Sequence, residues 1–292
     1  MAPALGAHAG RDHRGAAAGG DVTFGIDADA EAFLARFLAQ RAPGVAFYSE
    51  DRGLVEPAGG AEHVLVVDPI DGTRPALAGF EAACVSVALA PMAGGQPTMG
   101  DVETGCVVEI KTGDWFIARR GAGVRSNVRV APSPNTDLDR LFWVYGLRGR
   151  PARPMMEVLG DLVDRSSVGG ASFDLGSAAY DMTRVVTGQL DAYVEPGPRL
   201  IEAVPALRAR FEAVGGGVVL NNSPYDLAAA ALCVAEAGAV VSDAHGRPLD
   251  DRLLLGAGPE HQMSVLAAGG AELHARLLAE VERGIARLSR AE

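Results

Sequence analysis

Residues 63–67 read His-Val-Leu-Val-Val, a continuous apolar run with no polar alternation. Such a run is expected of a strand buried on both faces of a sheet. It ends directly in Asp68-Pro69-Ile70-Asp71-Gly72-Thr73. Proline biases the residue before it towards an extended backbone, so Asp68 is expected to leave the strand end pointing outward. Asp71 is expected on the turn that follows. Two carboxylates from one strand-to-loop turn can converge on a single cation. Gly72 and Thr73 then offer backbone N–H groups suited to a phosphate. Strand ends in α/β sheets are also where ligands gather.

Two more acids can join this pair. Glu50 follows a short expected strand at 45–48. Asp226 sits in the first turn of a helix that Ser223-Pro224 opens as N-cap and first helical residue. All four ligands are hard oxygens, which favours Mg²⁺ or Mn²⁺ over zinc. Carboxylates at such short range raise one another's pKa unless cations neutralise them. A shared pocket therefore needs about two divalent ions, the arrangement that clamps phosphoryl transfer to water. Taken singly, each acid has a simpler explanation. Asp68 and Asp71 suit an Asx-type turn, and Asp226 suits a helix N-terminus.

The rest of the chain supplies a mixed framework. Residues 1–20 lack periodicity and are expected to be mobile. A helix is expected at about 30–41, with Phe33, Leu34, Phe37 and Leu38 on one face. Residues 51–62 read as a loop. Strands follow at 82–90 and in a hairpin over 105–118. Residues 131–160 are irregular, which places a lobe boundary there. The expected division is an N-terminal α+β lobe, 21–150, carrying the main acid site, and a C-terminal lobe, 151–292, completing it. A helix near 176–187, a strand near 190–194, an amphipathic helix over 200–214, a helix from 224 to Gly238, a strand at 239–242 and a final helix near 271–289 complete the chain.

The chain of 292 residues carries 26 Lys and Arg against 37 Asp and Glu, a formal charge of −11. That balance argues against a nucleic-acid polymer as partner but not against a small anion held by local charge. The three cysteines, Cys84, Cys106 and Cys233, lie in apolar stretches outside any CxxC pair. They read as core residues of a cytoplasmic protein. No segment has the length of a membrane span, and the N-terminus lacks the pattern of a secretory signal.

Asp68 to Thr73 resembles the DPIDGT signature of the inositol monophosphatase family. Ser49-Glu50-Asp51 sits where that family carries Gly-Glu-Glu. Gly176-Ser177-Ala178-Ala179 with Leu190 to Glu195 is similar to its GSAA…LDAYxE segment. Tyr225-Asp226-Leu227-Ala228-Ala229 with Glu236-Ala237-Gly238 resembles WDxAAG…EAGG, and Phe116 to Asn127 resembles its sheet hairpin. The matches run in order from about Asp21 to Ala268. The resemblance implies an α-β-α-β-α layered sandwich, Mg²⁺-dependent hydrolysis of a small phosphate monoester, two or three ions, and a homodimer. It implies that Glu50, Asp68 and the Ile70 carbonyl hold one ion, and that Asp68, Asp71 and Asp226 hold a second. Asp51 matches an acid that helps a third. Gly72 and Thr73 would bind phosphate, Thr73 and Asp27 would activate water with help from Glu50, and Ala178 and Glu195 would contact the alcohol, beside Asp71 and Asp226.

Arg74-Pro75 departs from the family pattern. Arg74 is expected either to bind a second anionic group or to pair with an acid such as Glu81. The long stretch 196–223, with Arg199, Arg208 and Arg210, is expected either to cap the pocket or to pack on the C-terminal lobe. These arginines keep fructose-1,6-bisphosphatase and 3′(2′),5′-bisphosphate nucleotidase activities open, and a non-catalytic sugar-phosphate binder remains a different class. A haloacid-dehalogenase phosphatase is disfavoured by the DxxDGT spacing and by the single lysine, Lys111, placed in a hairpin turn. No GxSxG serine motif is present.

Overall fold

The computed structural model describes residue 6 and residues 11–17, 20–92 and 95–291. In chain order the strands are β1 (His13–Ala16), β2 (Val22–Phe24), β3 (Ala46–Ser49), β4 (Gly53–Val55), β5 (His63–Asp71), β6 (Cys84–Pro91) and β7 (Thr104–Glu109). They continue with β8 (Trp115–Arg119), β9 (Gly123–Ser126), β10 (Phe142–Tyr145), β11 (Ala171–Phe173), β12 (Ala192–Glu195), β13 (Val240–Ser242) and β14 (Val265–Ala268). The helices are α1 (Gly25–Arg41), α2 (Thr73–Ala78), α3 (Ala152–Ser166), α4 (Ala178–Thr187), α5 (Gly197–Ala203), α6 (Arg208–Val214), α7 (Pro224–Glu236) and α8 (Ala271–Ala291).

Two sheets carry the architecture. The first has the order β4-β3-β5-β6-β7-β8-β9, antiparallel except for β3 beside β5. The second has the order β11-β10-β12-β14-β13, parallel at β10 and antiparallel around β14. Helices α4 and α7 lie against strands of both sheets, α1 packs on β5, and α3 and α8 pack on the second sheet and on each other. The result is the expected α-β-α-β-α sandwich. One core joins the first sheet to α4 and α7 through Val64, Val66, Phe116, Met182 and Leu227. A second gathers Trp143, Leu159, Leu200, Phe211 and Leu277. Among the described residues, no helix is long and apolar enough to cross a membrane.

The structure differs from the sequence reading at definite places. His13–Ala16, inside the stretch expected to be mobile, pairs with β2; its residues are all exposed, so no apolar pattern announces it. Residues 1–5, 7–10, 18 and 19 lie outside the described residues. Helix α1 begins earlier than expected and buries Ile26, Ala30 and Leu38, while Phe33 and Phe37 stack on each other in solvent. The change of sheet falls between Ser126 and Phe142, because β10 already belongs to the second sheet. The single helix expected over 200–214 is broken at Pro205, which lacks the N–H an α-helix needs there. Strand β4 lies in the expected loop, and β14 was not foreseen.

Gly105 on β7 sets how closely α7 approaches the sheet. A Cβ there would meet the Ala229 carbonyl oxygen at 2.5 Å and its Cα at 2.9 Å. Both are backbone atoms and cannot turn aside. Gly105→Ala should therefore destabilise the protein by about 1–3 kcal/mol, the usual cost of overpacking. Urea unfolding with an unchanged m-value would register it. Phe33→Ala on the exposed face of α1 serves as the near-neutral control.

Candidate active site

Strand β5 does not end before the acids but runs through them. Asp68 pairs with Ser86 and Asp71 with Cys84, and the register slips between the two. This bulge corrects the expectation that Asp71 lies on a following turn. An irregular strand end brings both carboxylates to one side, where strict alternation could not. Helix α7 delivers the third acid: Asp226 accepts the Ser223 N–H at 2.6 Å, closing the N-terminal capping loop. One ligand oxygen each of Asp68, Asp71 and Asp226 lies within 4.8 Å of the others. Glu50, following β3, lines the same pocket together with Ile70, Gly72 and Thr73.

Asp68, Asp71 and Asp226 are each fixed by bonds of their own. Asp68 Oδ1 accepts the Ile70 N–H at 2.9 Å, the Asx-type contact anticipated for it. Asp71 Oδ2 accepts from Ser177 Oγ at 2.8 Å and from the Ala179 N–H at 2.6 Å, at the start of α4. Every carboxylate still has a second oxygen to offer. Gly72 lies at φ 90°, and a Cβ on it would meet the Ala82 carbonyl at 2.3 Å. Only glycine fits between β5 and α2 here.

Burial and mutual repulsion dominate the electrostatics. Burial, then Asp71, pushes the Asp226 carboxyl up to about 7. Burial raises Asp71 to about 6 against the hydrogen bonds from Ala179 and Ser177. Glu50 and Asp68 are raised well above the carboxylate range by burial and by their acidic neighbours. The donor set is all hard oxygen, with three carboxylates close to one another and more acids than arginines on the pocket. It fits a magnesium-like divalent cation, which would relieve the repulsion.

Asp27 and Thr73 form a separate pair at the edge of this cage. Thr73 Oγ1 donates to Asp27 Oδ1 at 2.9 Å and also lies 3.2 Å from the Ile70 carbonyl. Asp27 Oδ2 accepts the Phe24 N–H at 2.9 Å, so its helix-capping and site positions coincide. Burial raises its pKa to about 6. Asp51, by contrast, accepts from Thr23 Oγ1 and does not line the pocket.

Beside the cage a second pocket is lined by Arg150, Asp174, Ala178, Asp181, Tyr193, Asn221 and Asn222, and it shares Asp71, Arg148, Gly176 and Asp226 with the first. Ala178 is where the sequence placed it. Glu195 is not: it is fully buried on β12 and ion-paired with Arg150 at 2.6 Å, so Arg150 presents itself to the pocket instead. Arg74 pairs with Asp21 rather than Glu81, which pairs with Lys111, and it lines the acid pocket. Arg199 turns away from the site, onto Glu282 and the Ala244 carbonyl, as part of a segment packed on the C-terminal lobe. Asp21, Arg148 and Ser177 were missing from the sequence-derived site. Ser177 stood inside the Gly176–Ala179 motif, but Asp21 and Arg148 carried no local signal beyond a charged residue near a strand end.

The family model described as the inositol monophosphatase family matches residues 3–286. The chain belongs to the inositol monophosphatase family. It is 30% identical over 225 residues to a fructose-1,6-bisphosphatase/inositol-1-monophosphatase of Methanothermobacter thermautotrophicus, covering 75% of this chain and 68% of that one. It is 27% identical over 231 residues to the Nus factor SuhB of Vibrio cholerae, covering 77% and 73%. The fold is similar to that of the Thermotoga maritima IMPase, with TM-score 0.68 and 20% identity over 92% of this chain and 86% of that one.

The raised acids make stability depend on pH in a definite direction. A carboxyl whose folded pKa lies above its unfolded value binds more protons in the folded state, so stability falls as pH rises between the two values. For Asp226 and Asp71 that window runs from about 4 to about 6–7. The melting temperature of cation-free protein should drop across it. Added Mg²⁺ should raise the melting temperature most at the upper end. Asp226→Asn should flatten the profile, and a cation-free profile already flat in the unsubstituted protein would contradict this account of the cage.

Proposed function

We propose that this protein is a Mg²⁺-dependent phosphatase that hydrolyses a small phosphate monoester with water as the attacking group. The observation that carries the reading is the meeting of Asp68, Asp71 and Asp226 within 4.8 Å, with Glu50 on the same pocket. These acids come from three distant stretches of chain, and burying them together without a charged ligand destabilises the fold. A non-catalytic binder of sugar phosphates has no use for that arrangement.

In this reading Glu50, Asp68, Asp71, Asp226 and the Ile70 carbonyl hold the cations. Bound there, divalent cations lower the pKa of water and offset charge on the attacking and leaving oxygens. The chain's own residues do the positioning. Gly72 and Thr73 present backbone N–H groups to the phosphate at the start of α2. Thr73 has its hydroxyl hydrogen directed to Asp27, so its oxygen is left to accept a hydrogen from the attacking water. Asp27, near neutrality in pKa, is suited to take that proton through Thr73. The alcohol then leaves towards the pocket of Ala178, Asp181 and Tyr193. Glu195 acts there only through Arg150.

Phosphate release from myo-inositol phosphates, fructose bisphosphate, histidinol phosphate and adenosine bisphosphate, with Mg²⁺ and with chelator, tests the reading. Turnover that appears only with the cation supports it. Ligand binding with no turnover of any ester would end it. Thr73→Val should lower kcat by about 10²–10⁴, the range lost with a general base, and leave KM nearly unchanged. Because Arg74 lines the acid pocket, a doubly charged substrate is the second reading. Arg74→Ala should then raise KM for a bisphosphate more than for a monophosphate, and equal losses would remove that idea.

A further inference from the structure

Among the described residues, Arg148 is the one basic side chain that lines both the acid cage and the neighbouring pocket. It comes from the loop after β10, at the edge where a phosphate held in the cage must join an alcohol held next door. Its guanidinium is bonded to Asp21 Oδ2, and the acids Glu50 and Asp226 also bear on it. The Arg148 side chain is 40% exposed, whereas Asp21 is nearly covered. Asp21 Oδ1 is also 3.4 Å from Arg74. Burial alone would raise the Asp21 carboxyl, but the charges of Arg148 and Arg74 hold it below its ordinary value. Asp21 is thus an ionised carboxylate lying between two arginines on the rim of the pocket.

The neighbouring arginine, Arg150, also lines the second pocket but is held differently. Arg150 is buried at 6% exposure and is ion-paired with Glu195. It donates to the Arg148 carbonyl at 2.7 Å and to Asn222 Oδ1 at 3.2 Å. It fixes the backbone that presents Arg148. Arg148 itself keeps a half-open head, held by the nearly covered Asp21.

We propose that Arg148 is a phosphate-binding residue of this site, contacting the ester phosphate on its leaving-group side, and that Asp21 holds the same guanidinium until substrate takes its place. The inference rests on the hydrolase reading above. Four acids balanced by two divalent cations leave no net positive charge for a phosphate dianion. Arg148 and Arg74 share the single carboxylate of Asp21, so the trio adds a net positive charge, and Arg148 has parallel N–H donors suited to phosphate oxygens. Asp21 competes for those donors, so it tempers phosphate affinity and aids release of the product.

Calorimetric titration of inorganic phosphate in the presence of Mg²⁺ tests this, alongside kcat and KM for a monoester. Arg148→Ala should weaken phosphate binding at least tenfold, and Arg148→Lys should recover part of the loss. Asp21→Asn should tighten it about threefold or more, because the competitor is gone. Opposite signs for the two positions are the signature, since a simple brace between them would fail in the same direction whichever end is cut. Phosphate binding within twofold of the unsubstituted protein in Arg148→Ala overturns the proposal. So does Asp21→Asn weakening binding as much as Arg148→Ala. In either case Mg²⁺-dependent turnover by the unsubstituted protein leaves the hydrolase reading standing. An unsubstituted protein with no turnover but measurable phosphate binding sinks that reading, and the proposal with it.

Discussion

Carboxylates crowded into one buried pocket repel each other, and much of the surrounding structure exists to keep them there. Asp71 is tied to the start of α4, Asp68 to the backbone two residues on, and Asp226 to the capping loop of α7. Each tie belongs to a different element. The layered sandwich then locks these elements together, since α4 and α7 lie against strands of both sheets. The close approach at Gly105 and the glycine-only corner at Gly72 serve the same end. Stability is given up at the cage and recovered in the two apolar cores beside it.

Part of this was legible because certain residues act locally. An unbroken apolar run must be covered on both faces, and β5 is. Ser223-Pro224 opens a helix wherever it is followed by an acid at the third helical position, and Asp226 is that acid. These short-range rules pointed to Asp68, Asp71 and Asp226, whereas the layered sandwich was implied by the resemblance alone. Asp27 was named through the resemblance; in the fold its carboxylate both accepts the Phe24 N–H and meets Thr73.

What stayed hidden depends on partners distant in sequence. Glu195 was expected against the alcohol, but Arg150, distant in sequence, is brought onto it and both are buried. Arg148 is one charge in an irregular stretch until the β1–β2 turn carries Asp21 to it. The continuous periodicity of 200–214 concealed the break at Pro205, since the apolar spacing survives the kink and only the hydrogen-bond ladder does not. The bulge between Asp68 and Asp71 is likewise invisible as a pattern, because it arises from pairing with β6.

The hairpin of β8 and β9 turns at Gly121 and Gly123, whose N–H groups are both taken by Glu236 at the end of α7. The helix is therefore gripped at its far end by the outer margin of the first sheet, while its opening turn carries Asp226. The position of the acid at one end of this helix thus leans on two backbone hydrogen bonds made at the other.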